Sequence, residues 1–154
     1  MKHHRYAVAL AVLGLGVAAA PAAHADVSCT VVEVEASSAD TPSMDPALRP
    51  LEKKLKKPPF TSWNVFKRLG ASTVSLAPQG VASASLVHGK FGLLLRDVTE
   101  RPGKRARLSL GITLEDAGGK RVVDTKVNVD AGDYFVAGRP LPDNKGHLVA
   151  LTCK

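Results

Sequence analysis

The chain has two cysteines, Cys29 and Cys153, and they lie near the two ends of the sequence that follows a leader-like N-terminus. Two cysteines allow one intramolecular disulfide, and this bond would close nearly the whole chain after the leader. Loop-closure entropy gives a bond of this span on the order of 4 to 5 kcal/mol of stability. We therefore predict one closed domain whose first and last segments lie side by side or face each other across the core.

The N-terminus has the three parts of a secretory signal peptide. Lys2 and Arg5 give a basic start, residues 6–20 form an apolar run, and Ala23-His24-Ala25 has the small-x-small pattern of a cleavage site. The apolar run is shorter than the roughly 18 residues that a membrane-spanning helix needs. We predict cleavage after Ala25, export to the periplasm or the medium, and no transmembrane segment afterwards. Oxidising conditions there favour the disulfide.

The charge of the chain is basic, with 21 Lys and Arg against 14 Asp and Glu. Loss of the leader removes only Lys2 and Arg5 from this balance. Outside the cytosol, a basic protein suits anionic polymers of the cell envelope better than nucleic acid. We expect no nucleic-acid partner, and solubility alone is the plainer explanation of the charge.

Residues 26–154 are predicted to form a single all-β domain, an antiparallel β-sandwich or small barrel of about eight strands with a helical insertion after the first strand. Residues 26–35 alternate as a strand, residues 36–44 read as a loop, and residues 45–69 form the insertion. Residues 71–153 show period-two stretches between glycine-containing turns. The candidate strands in this last region are Thr73–Ala77, Val81–Val87, Phe91–Val98, Lys104–Glu115, Arg121–Val129, Tyr134–Ala137 and His147–Cys153.

The insertion is predicted to contain two helices. Asp45 can cap the first helix, and Leu48, Leu51 and Leu55 follow at spacings that place them on one face. A second, short helix is predicted to start at Thr61 or Ser62 and to run through Trp63, Val65 and Phe66 to Leu69, before Gly70.

Two groups of basic residues form the candidate binding surface. One group belongs to the insertion and the other to a hairpin around residues 102–103, and together they would make a patch for phosphate or carboxylate groups if they shared one side of the fold. A solvated helix back and an ordinary charged turn are the alternative. The candidate residues are Arg49, Lys53, Lys54, Lys56, Lys57, Lys67, Arg68, Arg101, Lys104, Arg105 and Arg107.

The sequence contains no catalytic or metal-binding motif on which we base a site, so we predict no catalytic residues, no metal and no cofactor. His88 and His147 are the histidines that remain after the leader, and we expect both to be surface residues. Glu33 and Glu35 alternate on the first strand, and we expect them on its solvent face. A small hydrolase that uses one of the histidines beside a carboxylate and a hydroxyl remains an alternative.

The stretch from Asp45 to Lys67 combines spaced leucines, Pro58-Pro59 and a Phe-x-x-Trp-x-x-Phe segment, and the chain ends in the strand Leu148 to Cys153. In these features it resembles small exported proteins of Gram-negative bacteria that have no assigned activity. The resemblance implies a periplasmic or secreted β-rich domain, and it implies no site residues.

Together these observations favour a non-enzymatic, exported binding or accessory module of the cell envelope, monomeric or weakly associating. A structural or assembly protein that pairs with a protein partner through a sheet edge is an alternative from another class.

Overall fold

The computed structural model describes residues 26–154, and the predicted signal peptide, residues 1–25, lies outside the described residues. Nine strands form two sheets. Their bounds are β1 (Val27–Ser37), β2 (Ser43–Met44), β3 (Val65–Leu76), β4 (Val81–Leu86), β5 (Gly89–Thr99), β6 (Arg107–Glu115), β7 (Arg121–Asp130), β8 (Tyr134–Leu141) and β9 (Lys145–Cys153). Sheet A has the order β2-β3-β1-β9-β8, and sheet B has the order β4-β5-β6-β7.

The main core lies between the two sheets. Alternate side chains point to it, and β6 shows this most clearly, because Leu108, Leu110, Ile112 and Leu114 are buried while their neighbours are not. Each fully buried side chain of this size contributes about 1.5 to 3 kcal/mol. Across residues 26–154 the sheets do not close into a barrel, so the predicted all-β fold is confirmed in its sandwich form.

Cys29 and Cys153 form the predicted disulfide. The two residues are direct cross-strand partners in β1 and β9, with their Cα atoms 4.0 Å apart, and both are buried. The first and last long strands are therefore neighbours in the middle of sheet A, as one of the two predicted arrangements required.

The insertion covers the outer face of sheet A. Residues Pro46–Leu51 form a 3-10 helix, capped by the Asp45 carboxylate on the Ala47 N–H, and one α-helical turn, α1 (Glu52–Leu55), follows. Its buried leucines meet the outward-facing side chains of β1, β3 and β9, away from the main core. This second cluster contains Val34, Ala36, Leu48, Leu51, Leu55, Phe66, Leu148 and Ala150.

Trp63 holds the end of the insertion to sheet A. Its indole Nε1 donates a hydrogen bond of 2.9 Å to the Asn144 carbonyl, and its ring lies against Gly146. A Cβ atom at Gly146 would come within 2.6 Å of the ring, so the contact requires glycine there. The insertion is thus fixed at both of its ends.

The predicted second helix from Thr61 or Ser62 to Leu69 is wrong. The chain forms only a 3-10 turn at Phe60–Ser62 and then enters β3, which pairs antiparallel with β1 along its whole length. Trp63, Phe66 and Leu69 have helical spacing, but pairing with β1 satisfies the backbone and buries Phe66 in the second cluster. Long-range pairing here overrides the local pattern.

The other predicted strands are present, with small changes at their ends. β6 starts at Arg107 rather than at Lys104, and β8 continues from Ala137 to Leu141. The predicted loop 36–44 contains the short strand β2, which pairs in parallel with the start of β3. Within residues 26–154, no helix is long and apolar enough to cross a membrane.

Candidate functional site

The insertion presents its basic side chains on the side that faces away from the sheet. Because Leu48, Leu51 and Leu55 point inward, Arg49, Lys53, Lys54, Lys56 and Lys57 point outward, and all five are exposed. Lys56 pairs with Glu52 one turn earlier, and this pair lowers the pKa of the Glu52 carboxyl. Among the described residues, the other four cations have no carboxylate within salt-bridge distance.

Arg68 joins this surface and Lys67 does not. Phe66 points toward the insertion, so the alternation of β3 places Lys67 on its other face and Arg68 back on the insertion side. Arg68 and Ala47 border the same surface hollow at the start of the insertion. We define the basic surface as Arg49, Lys53, Lys54, Lys57 and Arg68.

The hairpin arginines are paired with carboxylates within the fold. The Nη2 of Arg101 and the Nε of Arg107 each lie 2.9 Å from Oδ1 of Asp130. Arg105 binds Asp133 at 2.8 Å. Hydrogen bonds from Arg107 and Arg101 hold the pKa of Asp130 below its usual value. Only Lys104 of this predicted group lacks such a partner among the described residues.

The two basic groups do not share one surface. The hairpin lies at the disulfide end of the sandwich, where Ala131 bonds to Ala106 and Gly132 bonds to the carbonyl of Cys153. The insertion packs on Leu148 and Ala150 of the same strand β9, on the outer face of sheet A. Leu148 and Cys153 are separated by about 17 Å at the strand rise of about 3.3 Å per residue.

A buried polar cluster lies between the sheets at the end opposite the disulfide. Glu33 of β1 is 3% exposed and His147 of β9 is 0% exposed. One Glu33 oxygen, Oε2, accepts the Val87 N–H at 2.7 Å; the other, Oε1, accepts the His88 N–H at 3.0 Å and lies 2.8 Å from His147 Nε2. Because residues 87–88 form the turn between β4 and β5, Glu33 ties sheet A to sheet B.

The pKa of His147 lies below its ordinary value of 6.5. Burial lowers this pKa most, the hydrogen bond and the charge of Glu33 raise it, and the nearby His88 and Arg139 lower it further. The neutral form that donates from Nε2 leaves Nδ1 without a proton, and Nδ1 has no hydrogen-bond partner within the described residues. A second proton on His147 would therefore have no acceptor.

The predicted surface position is wrong for His147 and for Glu33. β1 alternates so that Glu33 shares the inner face of Cys29 and Val31, and His147 shares that of Cys153 in β9. His88 is half-buried, with its ring edge-to-face on His147 at 5.4 Å between centroids. The pair has the histidine and the carboxylate that the hydrolase alternative requires, but both side chains are closed off from solvent.

Two clefts of about 370 Å³ each lie elsewhere in residues 26–154. One runs between the insertion and β2, with Met44, Leu55, Trp63 and Phe66 among its walls and Lys56 at its rim. The other opens at the disulfide end of the sandwich and is bordered by residues from β1, β5 and β6. Glu52 also lines the first cleft, and none of the five residues of the basic surface does.

Comparisons with protein-family models, curated proteins and solved structures give no match to this chain.

Proposed function

We propose that the protein is a non-enzymatic, exported binding module of the cell envelope that contacts anionic polymers through the basic surface. The observation that carries this proposal is the set of five exposed cations, held on a rigid insertion, without carboxylate partners among the described residues. Such cations are free to meet sulfate, phosphate or carboxylate groups of a polymer. The hairpin arginines have no part in it, because each of them already forms an ion pair with Asp130 or Asp133.

The shape of the insertion supports binding to an extended polymer rather than to a small molecule. The cations are exposed on the outer side of a short helical segment and on the strand beside it, above buried leucines. An exposed, charged surface offers many contacts and little enclosure, whereas small ligands are held in concave, largely apolar pockets.

Export is supported by the disulfide. Buried disulfides form and persist in oxidising compartments and are rare in the cytosol. The Cys29–Cys153 bond therefore fits a protein that acts in the periplasm or outside the cell, where anionic envelope polymers are present.

The test is salt-gradient elution of the purified protein from immobilised heparin, a polymer that carries sulfate and carboxylate groups. A variant with three reversed insertion charges is compared with a control that has three exposed lysines reversed elsewhere, so both have the same net charge. The two variants are K53E/K54E/K57E and K104E/K120E/K126E.

At about 1 kcal/mol for each close charge contact in water, the insertion variant is expected to bind heparin at least about tenfold more weakly than the control at equal salt. Elution of the two variants at the same salt concentration would show that net charge alone drives retention. That result, or a wild-type protein that heparin does not retain at low salt, would refute the proposal.

A further inference from the structure

Strand β4 has a free edge whose backbone groups point outward. It lies at the end of sheet B and pairs there with β5 alone. The Leu95 N–H donates to the Gly80 carbonyl at 3.0 Å, and the antiparallel register continues from this pair. In an antiparallel ladder, hydrogen-bonded residue pairs alternate with pairs that are not hydrogen-bonded. Val81, Ser83 and Ser85 therefore direct their N–H and C=O groups away from β5.

This edge lacks the features that protect sheet edges. Residues 77–89 contain no Lys, Arg, Asp or Glu. The opposite edge strand of the same sheet, β7, carries the exposed Arg121, Asp124 and Lys126, and charged residues of this kind block pairing with another chain. Val81, the first residue of β4, and Val87, in the turn after β4, are 79% and 64% exposed and are the most exposed large hydrophobic side chains of residues 26–154.

We infer that two copies of the chain form a two-fold symmetric dimer in which β4 pairs antiparallel with β4 of the partner subunit, with the axis at Ala84. This register places Val81 opposite Val87 of the partner subunit and Ser83 opposite Ser85 of the partner subunit. Each serine pair exchanges both backbone hydrogen bonds, because these residues direct their free groups outward.

Other registers fit less well. A shift of the pairing by one residue would place outward-pointing groups opposite groups already bonded to β5, so no ladder would form. A shift by two residues keeps the ladder but leaves at least one exposed valine without a valine partner. Centring on Ala84 pairs the free backbone groups of Ser83 and Ser85 and covers Val81 and Val87 together.

A second copy is the occupant that the symmetric placement of serines and valines about Ala84 favours. Each copy is basic, with a formal charge of +7 for the full sequence, so copies repel at long range and the contact must add no local repulsion of its own. In a two-fold contact the residues near the axis meet their own kind, and an uncharged strand of serine, alanine and valine tolerates this. A basic or acidic strand would not.

The dimer places both basic surfaces on the same side. The two-fold axis that relates two antiparallel strands is perpendicular to their sheet, so it keeps each face of the sheet on the same side. Both copies of sheet A, with their insertions, therefore lie on one face of the joined sheet B. Two surfaces directed the same way would bind a polymer with avidity. This consequence rests on the proposed function, whereas the dimer itself does not.

The test is the molar mass of the purified protein, measured by sedimentation over a micromolar to millimolar series without any polymer. The edge variant S83K/S85K is compared with T125K/N128K, which adds the same charge to exposed positions of β7. The wild type and the β7 variant are expected to reach the dimer mass, and the β4 variant is expected to stay at half that mass with an unchanged circular dichroism spectrum.

The register has its own test. A mixture of the single variants V81C and V87C is expected to form an interchain disulfide, because directly opposite residues of antiparallel strands have Cα atoms about 4.5 to 5.5 Å apart, within reach of a disulfide. Neither variant alone is expected to do so. A wild type that stays monomeric at millimolar concentration, or a β4 variant that still dimerises, would overturn the inference and would leave the heparin test unaffected.

Discussion

Replacing Glu33 by alanine is expected to destabilise the fold far more than replacing Glu35. The carboxylate of Glu33 accepts hydrogen bonds from two N–H groups of the turn at 87–88 and from the ring of His147. Each buried donor left without a partner costs about 1 to 3 kcal/mol. The ring of His147 is fully buried, whereas the N–H groups of the turn are partly buried and can bind water. We therefore expect the free energy of unfolding to fall by about 3 to 5 kcal/mol.

Glu35 is the matched control for this experiment. It lies two residues further along the same strand and has the same side chain, so the effect of the substitution on strand propensity is shared. Its ion pair with Lys145 is long, with 3.8 Å between Glu35 Oε1 and Lys145 Nζ. Partly exposed ion pairs of this kind contribute less than about 1 kcal/mol to the free energy of unfolding.

The assay is guanidinium denaturation at pH 7.5 under oxidising conditions, followed by Trp63 fluorescence and by far-ultraviolet circular dichroism. The free energy of unfolding of Glu33→Gln is expected to lie between those of wild type and Glu33→Ala. The amide keeps one acceptor oxygen, but its NH2 group is a donor and faces the N–H donors around it. Equal unfolding free energies for Glu33→Ala and Glu35→Ala would refute the inter-sheet role of Glu33.

Two more predictions concern stability. Reduction of the Cys29–Cys153 bond opens a loop with a sequence separation of 124 residues, so the free energy of unfolding is expected to fall by about 4 to 5 kcal/mol, measured by denaturation with and without reductant; a loss below about 1 kcal/mol would contradict the entropic account. The folded pKa of His147 is lowered, so the unfolded chain binds more protons below pH 6.5 and stability falls as pH falls through that range. This group contributes a slope of at most about 1.4 kcal/mol per pH unit to the free energy of unfolding. His147→Gln is therefore expected to weaken the pH dependence of the denaturation midpoint between pH 7.5 and pH 5.5. An unchanged pH dependence would exclude His147 as its source.

Alternation along the strands predicted most of the sandwich. In β6, the leucines and Ile112 lie on one face, and β5 alternates in the same way from Phe91 to Leu95, whereas β7 departs from strict alternation. The segment 62–69 did not follow its local pattern, because its structure depends on pairing with β1, which lies about thirty residues earlier. A pattern within one window contains no information about that partner.

The buried cluster could have been found from the phase of the alternation. Positions 29, 31 and 33 share one face of β1, and the disulfide places the first of them in the core, so Glu33 had to face inward as well. The residue type alone favours the solvent side, and here the phase of the strand overrides it. The ion pairs of the hairpin could not have been found from the alternation within one strand. The pairing of Arg101 and Arg107 with Asp130 depends on the β6–β7 register.

The basic surface rests on strands that are held at several points. Strands β1 and β9 carry the disulfide at one end and the Glu33–His147 pair toward the other, and their outer faces form the floor beneath the insertion. Trp63 then fixes the end of the insertion to the start of β9. A surface held in this way loses little backbone freedom on binding. Differences in heparin affinity between folded variants of its lysines therefore report the charges themselves rather than a change in the fold that presents them.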